Sequence, residues 1–69
     1  MCEILGKNLK TYRKVKGATQ QELAVVCNTT VKTISHWETG YSEPSLEQLC
    51  KLADFFETTV DDLLGRDMH

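Results

Sequence analysis

The sequence predicts an all-α fold, a compact bundle of five short helices, and three observations predict it. Apolar residues recur at three- and four-residue spacing, with no strand-length alternation anywhere in the 69 residues. Two S/T-x-x-E/Q capping boxes, Thr19 to Glu22 and Ser45 to Gln48, mark helix starts. Residues that tolerate a left-handed backbone follow the apolar runs, at Gly17, Asn28, Gly40 and Gly65. With no internal repeat and no linker, residues 1–69 are expected to form one domain, with 66–69 as a flexible tail.

The first helix is expected over about Glu3 to Lys16, with Leu5, Leu9 and Tyr12 on one stripe and lysines on the other. The second, Gln20 to Cys27, is led by Thr19, and Leu23, Ala24 and Cys27 share one face. Ala24 is small where two helices must approach closely. Thr30 caps a third helix over Val31 to Thr39. Its inward residues are Ile34, Trp37 and Glu38, and Trp37 is read as packing rather than base stacking. Its outward residues are Val31, Lys32, Ser35, His36 and Thr39. A turn from Gly40 to Pro44 holds the only proline. Ser45 caps a fourth helix whose apolar face is Leu46, Leu49, Leu52, Ala53 and Phe56. Thr59 starts a short fifth helix with Val60, Leu63 and Leu64 inward, and Asp61 and Asp62 suit its N-terminal dipole.

Composition narrows the function. The 41% apolar content can supply one small core, and domains of this size are usually marginal. No apolar run reaches membrane-spanning length and no signal-peptide core is visible. Cys2, Cys27 and Cys50 form an odd count without CxxC spacing, which argues against a disulfide framework or a metal site. Cys27 and Cys50 suit buried apolar positions in a reducing cytoplasm, and Cys2 suits an exposed, oxidisable thiol. His36 and His69 are the only histidines, no Gly-rich phosphate loop exists, and the thiols lack an evident base. An enzyme and a bound cofactor are therefore not expected.

Charge is uneven. The whole chain carries −2. Residues 1–36 hold six basic side chains against two acidic ones, and residues 37–69 hold two against eight. A polyanion-facing basic side would give this split, and so would a solvated surface that is merely uneven. The low total predicts weak non-specific nucleic-acid binding.

The segment TQQELAVVCNTTVKTISHWETG, Thr19 to Gly40, reads as two short helices and a tight turn, the second with a polar outer face. A helix-turn-helix presents its recognition helix to a DNA major groove in this way. The segment resembles the motif of the phage Cro and repressor family, also called the xenobiotic-response-element family. The downstream run TGYSEPSLEQLCKLADFFETTVDDLLG and the upstream residues Leu5, Leu9, Tyr12 and Arg13 extend the resemblance over about Ile4 to Gly65. It implies a five-helix domain of the phage-repressor type and a transcriptional regulator, a repressor by preference, that binds double-stranded DNA.

Lys32 and His36 are four apart and share one exposed helix face. Lys donates to guanine acceptors, His donates or accepts at a base edge, and Val31 can pack on a thymine methyl. The resemblance places Val31, Lys32, Ser35 and His36 at base edges, with Ser35 equally suited to a phosphate. It places Gln20, at a helix N-terminus, on a phosphate. Thr30, Lys10, Lys14 and Arg13 are further phosphate candidates. The plainer alternative for each is an ordinary solvated side chain. The resemblance also implies an ion pair between Arg13 and Glu38 that joins the first helix to the recognition helix. It further implies a homodimer on a palindromic operator, with Phe56, Glu57, Thr58, Thr59, Leu64 and Met68 at the dimer surface.

Departures from the family pattern are Ala18, small where a larger apolar residue is common, polar Thr29, and Asn28 in place of a turn glycine. Ala18 predicts loose packing between the first two helices. Val25 and Val26 are expected on the outer face of the second helix, a hint of a protein contact. That keeps a second class open, a protein-interaction module such as an antitoxin or adaptor. Such a module would tolerate changes at Lys32 and His36 but not at Val25 or Val26.

Overall fold

In the computed structural model the backbone is described for residues 2–66 and the side chains for 3–66. Among these residues there are five helices and no strand: α1 (Cys2–Lys16), α2 (Gln20–Val26), α3 (Val31–Thr39), α4 (Leu46–Phe55) and α5 (Val60–Leu64). The expected element order holds. The boundary differences are small: α1 begins at Cys2, and α2 closes at Val26 with Cys27 already outside helical geometry. Of the expected tail at 66–69, Arg66 is described, with its backbone N–H on the Asp61 carbonyl at 2.9 Å, whereas 67–69 and the Cys2 thiol lie outside what is described.

Helix starts follow the capping chemistry. Thr19, Thr30, Ser45 and Thr59 each accept the backbone N–H three residues on, and the boxes at Thr19–Glu22 and Ser45–Gln48 are both closed. Helix ends share one device. Gly17, Asn28, Gly40, Glu57 and Gly65 all have positive φ. Each donates to the carbonyl three residues back, and the next residue donates to the carbonyl five back, as Ala18 does to Arg13 and Tyr41 to His36. This is the Schellman motif.

Glu57 is the unexpected member, at φ 56 with a Cβ that the left-handed region disfavours. Its side chain is exposed. Glu57→Gly should therefore raise stability by about 0.5–1 kcal/mol, the steric relief less the entropy glycine adds to the unfolded chain. In a thermal melt that is a rise of roughly 2–8 °C. A melting point that stays put or falls would remove the strain argument.

One core joins all five helices. Its fully buried aliphatics come one from each: Leu9, Leu23, Ile34, Leu52 and Leu63. Tyr12 and Phe56 close one side with ring centroids 5.6 Å apart. Ala18 is buried, and its carbonyl accepts from Arg13 Nη1 at 3.2 Å.

Three placements differ from expectation. Leu46 is 73% exposed and Cys50 is also exposed. The reason is angular. Gln48 faces α2, where its Nε2 donates to the Cys27 carbonyl at 3.3 Å. Residues two apart stand about 200° apart around a helix, so Leu46 and Cys50, each two from Gln48, share the outer face. Val26 is half-buried and packs on the core, because short α2 is covered by both α3 and α4, and only Val25 remains outward. Cys27 is buried as expected, and burial pushes its thiol up, partly offset by Lys51.

At Gly6 the backbones of α1 and α3 approach closely. A Cβ there would lie 2.5 Å from the Trp37 carbonyl oxygen and 2.8 Å from that of Glu38. No described helix is long and apolar enough to cross a membrane. Among the described residues, no group of three or more His, Cys, Asp or Glu could hold a metal ion.

Candidate nucleic-acid interface

The site is built around α3, which packs on α1 and α2 through Ile34 and Trp37. Burying that face turns the opposite one outward. Val31 and Lys32 in the first turn are exposed, as is Thr39 at the end. Ser35 and His36 are half-buried.

A polar cluster locks the angle of α3. Arg13 Nε donates to Glu38 Oε2 at 2.6 Å, and Arg13 Nη2 donates to Oε1 at 3.1 Å. Gln20 Nε2 donates to the same Oε1, also at 3.1 Å. The two charged side chains are 14% and 4% exposed, so the pair is shielded from competing water. The hydrogen bond to Glu38 raises the Arg13 guanidinium above its already high ordinary value, against a burial effect that lowers it, so its charge is permanent. Three helices meet here, because Arg13 belongs to α1, Gln20 to α2 and Glu38 to α3.

Above this cluster lies an open cleft lined by Lys10, Arg13, Lys14, Ala18, Thr19, Gln20, Ser35, Glu38 and Thr39. Four of the five phosphate candidates, Lys10, Arg13, Lys14 and Gln20, therefore share one concavity with Ser35. Lys10 and Lys14 are exposed, whereas the side-chain ends of Arg13 and Gln20 are engaged by Glu38. The arrangement presents cations and a helix N-terminus beside the outward face of α3, the electrostatics an anionic backbone requires. Thr30 stands apart at the start of α3. Its Oγ1 accepts from the Thr33 backbone at 3.2 Å and lies 3.0 Å from Thr33 Oγ1.

The candidate dimer residues are less uniform. Phe56 is 9% exposed, with its ring against Tyr12 and Phe55, so the chain's own core uses it. Thr58 is half-buried; it accepts from Tyr12 at 3.2 Å and donates to Asp62 at 2.9 Å. Leu64 is half-buried on the core. Glu57 and Thr59 are exposed, and Met68 lies outside the described residues.

Sequence reasoning passed over three contributors. Gly6 sets how closely α3 approaches α1, and a lone glycine within a helical pattern gives no sign of which neighbour it meets. Thr39 lines the cleft and donates its hydroxyl to the His36 carbonyl at 3.2 Å. Tyr41 lies outside the motif, yet its ring centroid is 4.7 Å from that of His36. A signal for it existed: in a Schellman ending, the residue after the glycine contacts the helix three residues from its end.

Comparison with known proteins matches residues 9–63 to the helix-turn-helix family. The HTH-type transcriptional regulator AnsR of Bacillus subtilis is 44% identical over 59 residues, covering 86% of this chain and 51% of AnsR. The HTH-type transcriptional regulator ImmR of the same organism is 38% identical over 63 residues, covering 91% of this chain and 50% of ImmR. The chain thus spans about half the length of these relatives. The crystal structure of the clp gene regulator ClgR from C. glutamicum superposes with a TM-score of 0.81 at 32% identity, covering 94% of this chain and 84% of that one.

Proposed function

The chain belongs to the Cro/C1-type helix-turn-helix family, and from that membership we propose that it is a sequence-specific DNA-binding transcriptional regulator, a repressor by preference, acting in the cytoplasm. One observation carries the reading: the outward face of α3 with Val31, Lys32 and His36 stands beside a cleft lined by Lys10, Lys14 and Gln20. Such a juxtaposition lets one element read base edges while its neighbours hold the phosphates. Lys32 addresses guanine acceptors, His36 a base edge, and Val31 a thymine methyl. Ser35, on the cleft wall with Lys10 and Lys14, suits a phosphate as well as a base.

One recognition helix reads few base pairs, so the working form in this reading is a homodimer on a palindromic operator. Glu57 and Thr59 offer exposed surface for it, with Leu64 at its margin.

Selection from a randomised duplex pool tests the reading. An enriched inverted repeat with half-sites about 34 Å apart, one DNA turn, is the expected result. No enrichment at low salt from folded protein would favour a protein-interaction module, with exposed Val25 as its first candidate contact. On the selected operator, Lys32→Ala and His36→Ala should each relax specificity at a separate base pair by roughly 1–3 kcal/mol. A uniform loss across all sequences would make them backbone contacts instead. Lys10→Ala or Lys14→Ala should weaken all sequences alike and lower the salt dependence by about one unit of slope.

A further inference from the structure

We propose that Tyr41 is a positioning residue, holding the His36 imidazole in one orientation and thereby setting the base preference at the position His36 reads. The inference rests on the reading of His36 as a base contact.

The argument starts from the end of α3. Gly40 takes φ 82, and the chain folds back over the last turn. Four donors converge on the His36 carbonyl: the Gly40 N–H, the Tyr41 N–H at 2.9 Å, the Ser42 N–H at 3.3 Å and the Thr39 hydroxyl at 3.2 Å. The backbone at Tyr41 is thereby fixed relative to His36. Its ring then lies across the imidazole, with centroids 4.7 Å apart and planes inclined at 50°, within the range where aromatic pairs attract.

Such a contact at a helix end is ordinarily explained by burial. That explanation is weak here, because Tyr41 is 78% exposed. What the ring does limit is the imidazole's freedom. A half-buried histidine on a helix surface otherwise samples several side-chain rotamers, and fixing one on binding costs affinity. With Tyr41 in place that ordering is present before DNA arrives. The ring also occupies one side of the imidazole, so only the remaining side is left for a base.

The test compares Tyr41→Phe, Tyr41→Ala, His36→Ala and the double variant His36→Ala/Tyr41→Ala on the selected operator and its single-base-pair substitutions. Tyr41→Phe keeps the ring and should keep the preference. Tyr41→Ala should reduce the preference about two- to tenfold, at the one base pair that His36→Ala relaxes. In the His36→Ala background, Tyr41→Ala should add nothing at that position. In the free protein, the His36 ring protons should show a ring-current shift that Tyr41→Phe retains and Tyr41→Ala abolishes.

Several results would overturn the proposal. One is additive losses in the double variant. Another is a Tyr41→Phe loss uniform over all sequences, which would make the phenol a phosphate contact. A third is the absence of any ring-current shift. Failure of the underlying reading looks different: the ring-current shift is present, yet His36→Ala leaves every base preference intact, and the role of Tyr41 then falls with it.

Discussion

Gly6→Ala is expected to destabilise the domain by about 3 kcal/mol or more, the upper end for overpacking a closed contact. The sign makes the prediction sharp. Glycine in a helix interior is ordinarily worse than alanine by roughly 1 kcal/mol, so the same substitution elsewhere in an exposed part of α1 should stabilise. At Gly6 the new methyl would stand 2.5 Å and 2.8 Å from two backbone oxygens of α3. Backbone cannot rotate aside as a side chain does. Relief requires moving α3 away from α1, which loosens the core to which the two helices contribute Leu5, Leu9, Ile34 and Trp37. Total stability for a domain of this size is on the order of 3–10 kcal/mol, so the loss takes about a third of it at the upper end and all of it at the lower. Urea denaturation with tryptophan fluorescence measures it, since Trp37 is the only tryptophan and is buried. Equal or greater stability than the parent would mean that α3 shifts freely, and that the α1–α3 approach does not fix its angle.

Legibility from sequence tracked how local the controlling physics was. Caps and stops were legible because they depend on residues three to five apart. Thr19, Thr30, Ser45 and Thr59 all cap, and Gly17, Asn28, Gly40 and Gly65 all take the left-handed conformation. Glu57 does so too without a compositional sign, because the Schellman hydrogen bonds outweigh the preference of one residue. Inward faces were legible where apolar side chains make the contact, as for Leu63 in α5, which packs on α1 and α4. They failed where a polar residue made the contact: Gln48 reaches α2, so Leu46 and Cys50 turn out to solvent. They failed also at Val26, which the packing of α3 and α4 on short α2 half-buries. At the interface, the outward face of α3 followed from periodicity. The engagement of Gln20 by Glu38 did not, because it joins two helices whose relative placement no local pattern encodes.

Glu38→Ala carries the other large effect, and it should act on folding and on DNA binding together. The carboxylate accepts three hydrogen bonds, two from Arg13 and one from Gln20. Its removal leaves the Arg13 guanidinium with the Ala18 carbonyl and without a counter-charge in a site shielded from water. Breaking one side of a buried pair costs about 3–5 kcal/mol, most of it the penalty of the stranded charge rather than the net worth of the pair. Arg13→Ala/Glu38→Ala should therefore recover part of what Glu38→Ala alone loses, because nothing charged is then stranded. A double-mutant cycle in urea measures the recovery. DNA affinity separates a second role. If the cluster does no more than stabilise, the double variant should bind as the parent does once it is folded. If the cluster also fixes the angle of α3, the double variant should fold yet bind its operator weakly, since Gln20 loses its anchor and α3 its tie to α1. The geometry favours the latter, because one carboxylate joins three helices at the floor of the cleft. Purely additive losses across the cycle, with normal affinity in the folded double variant, would reduce the Arg13–Glu38 contact to an incidental one.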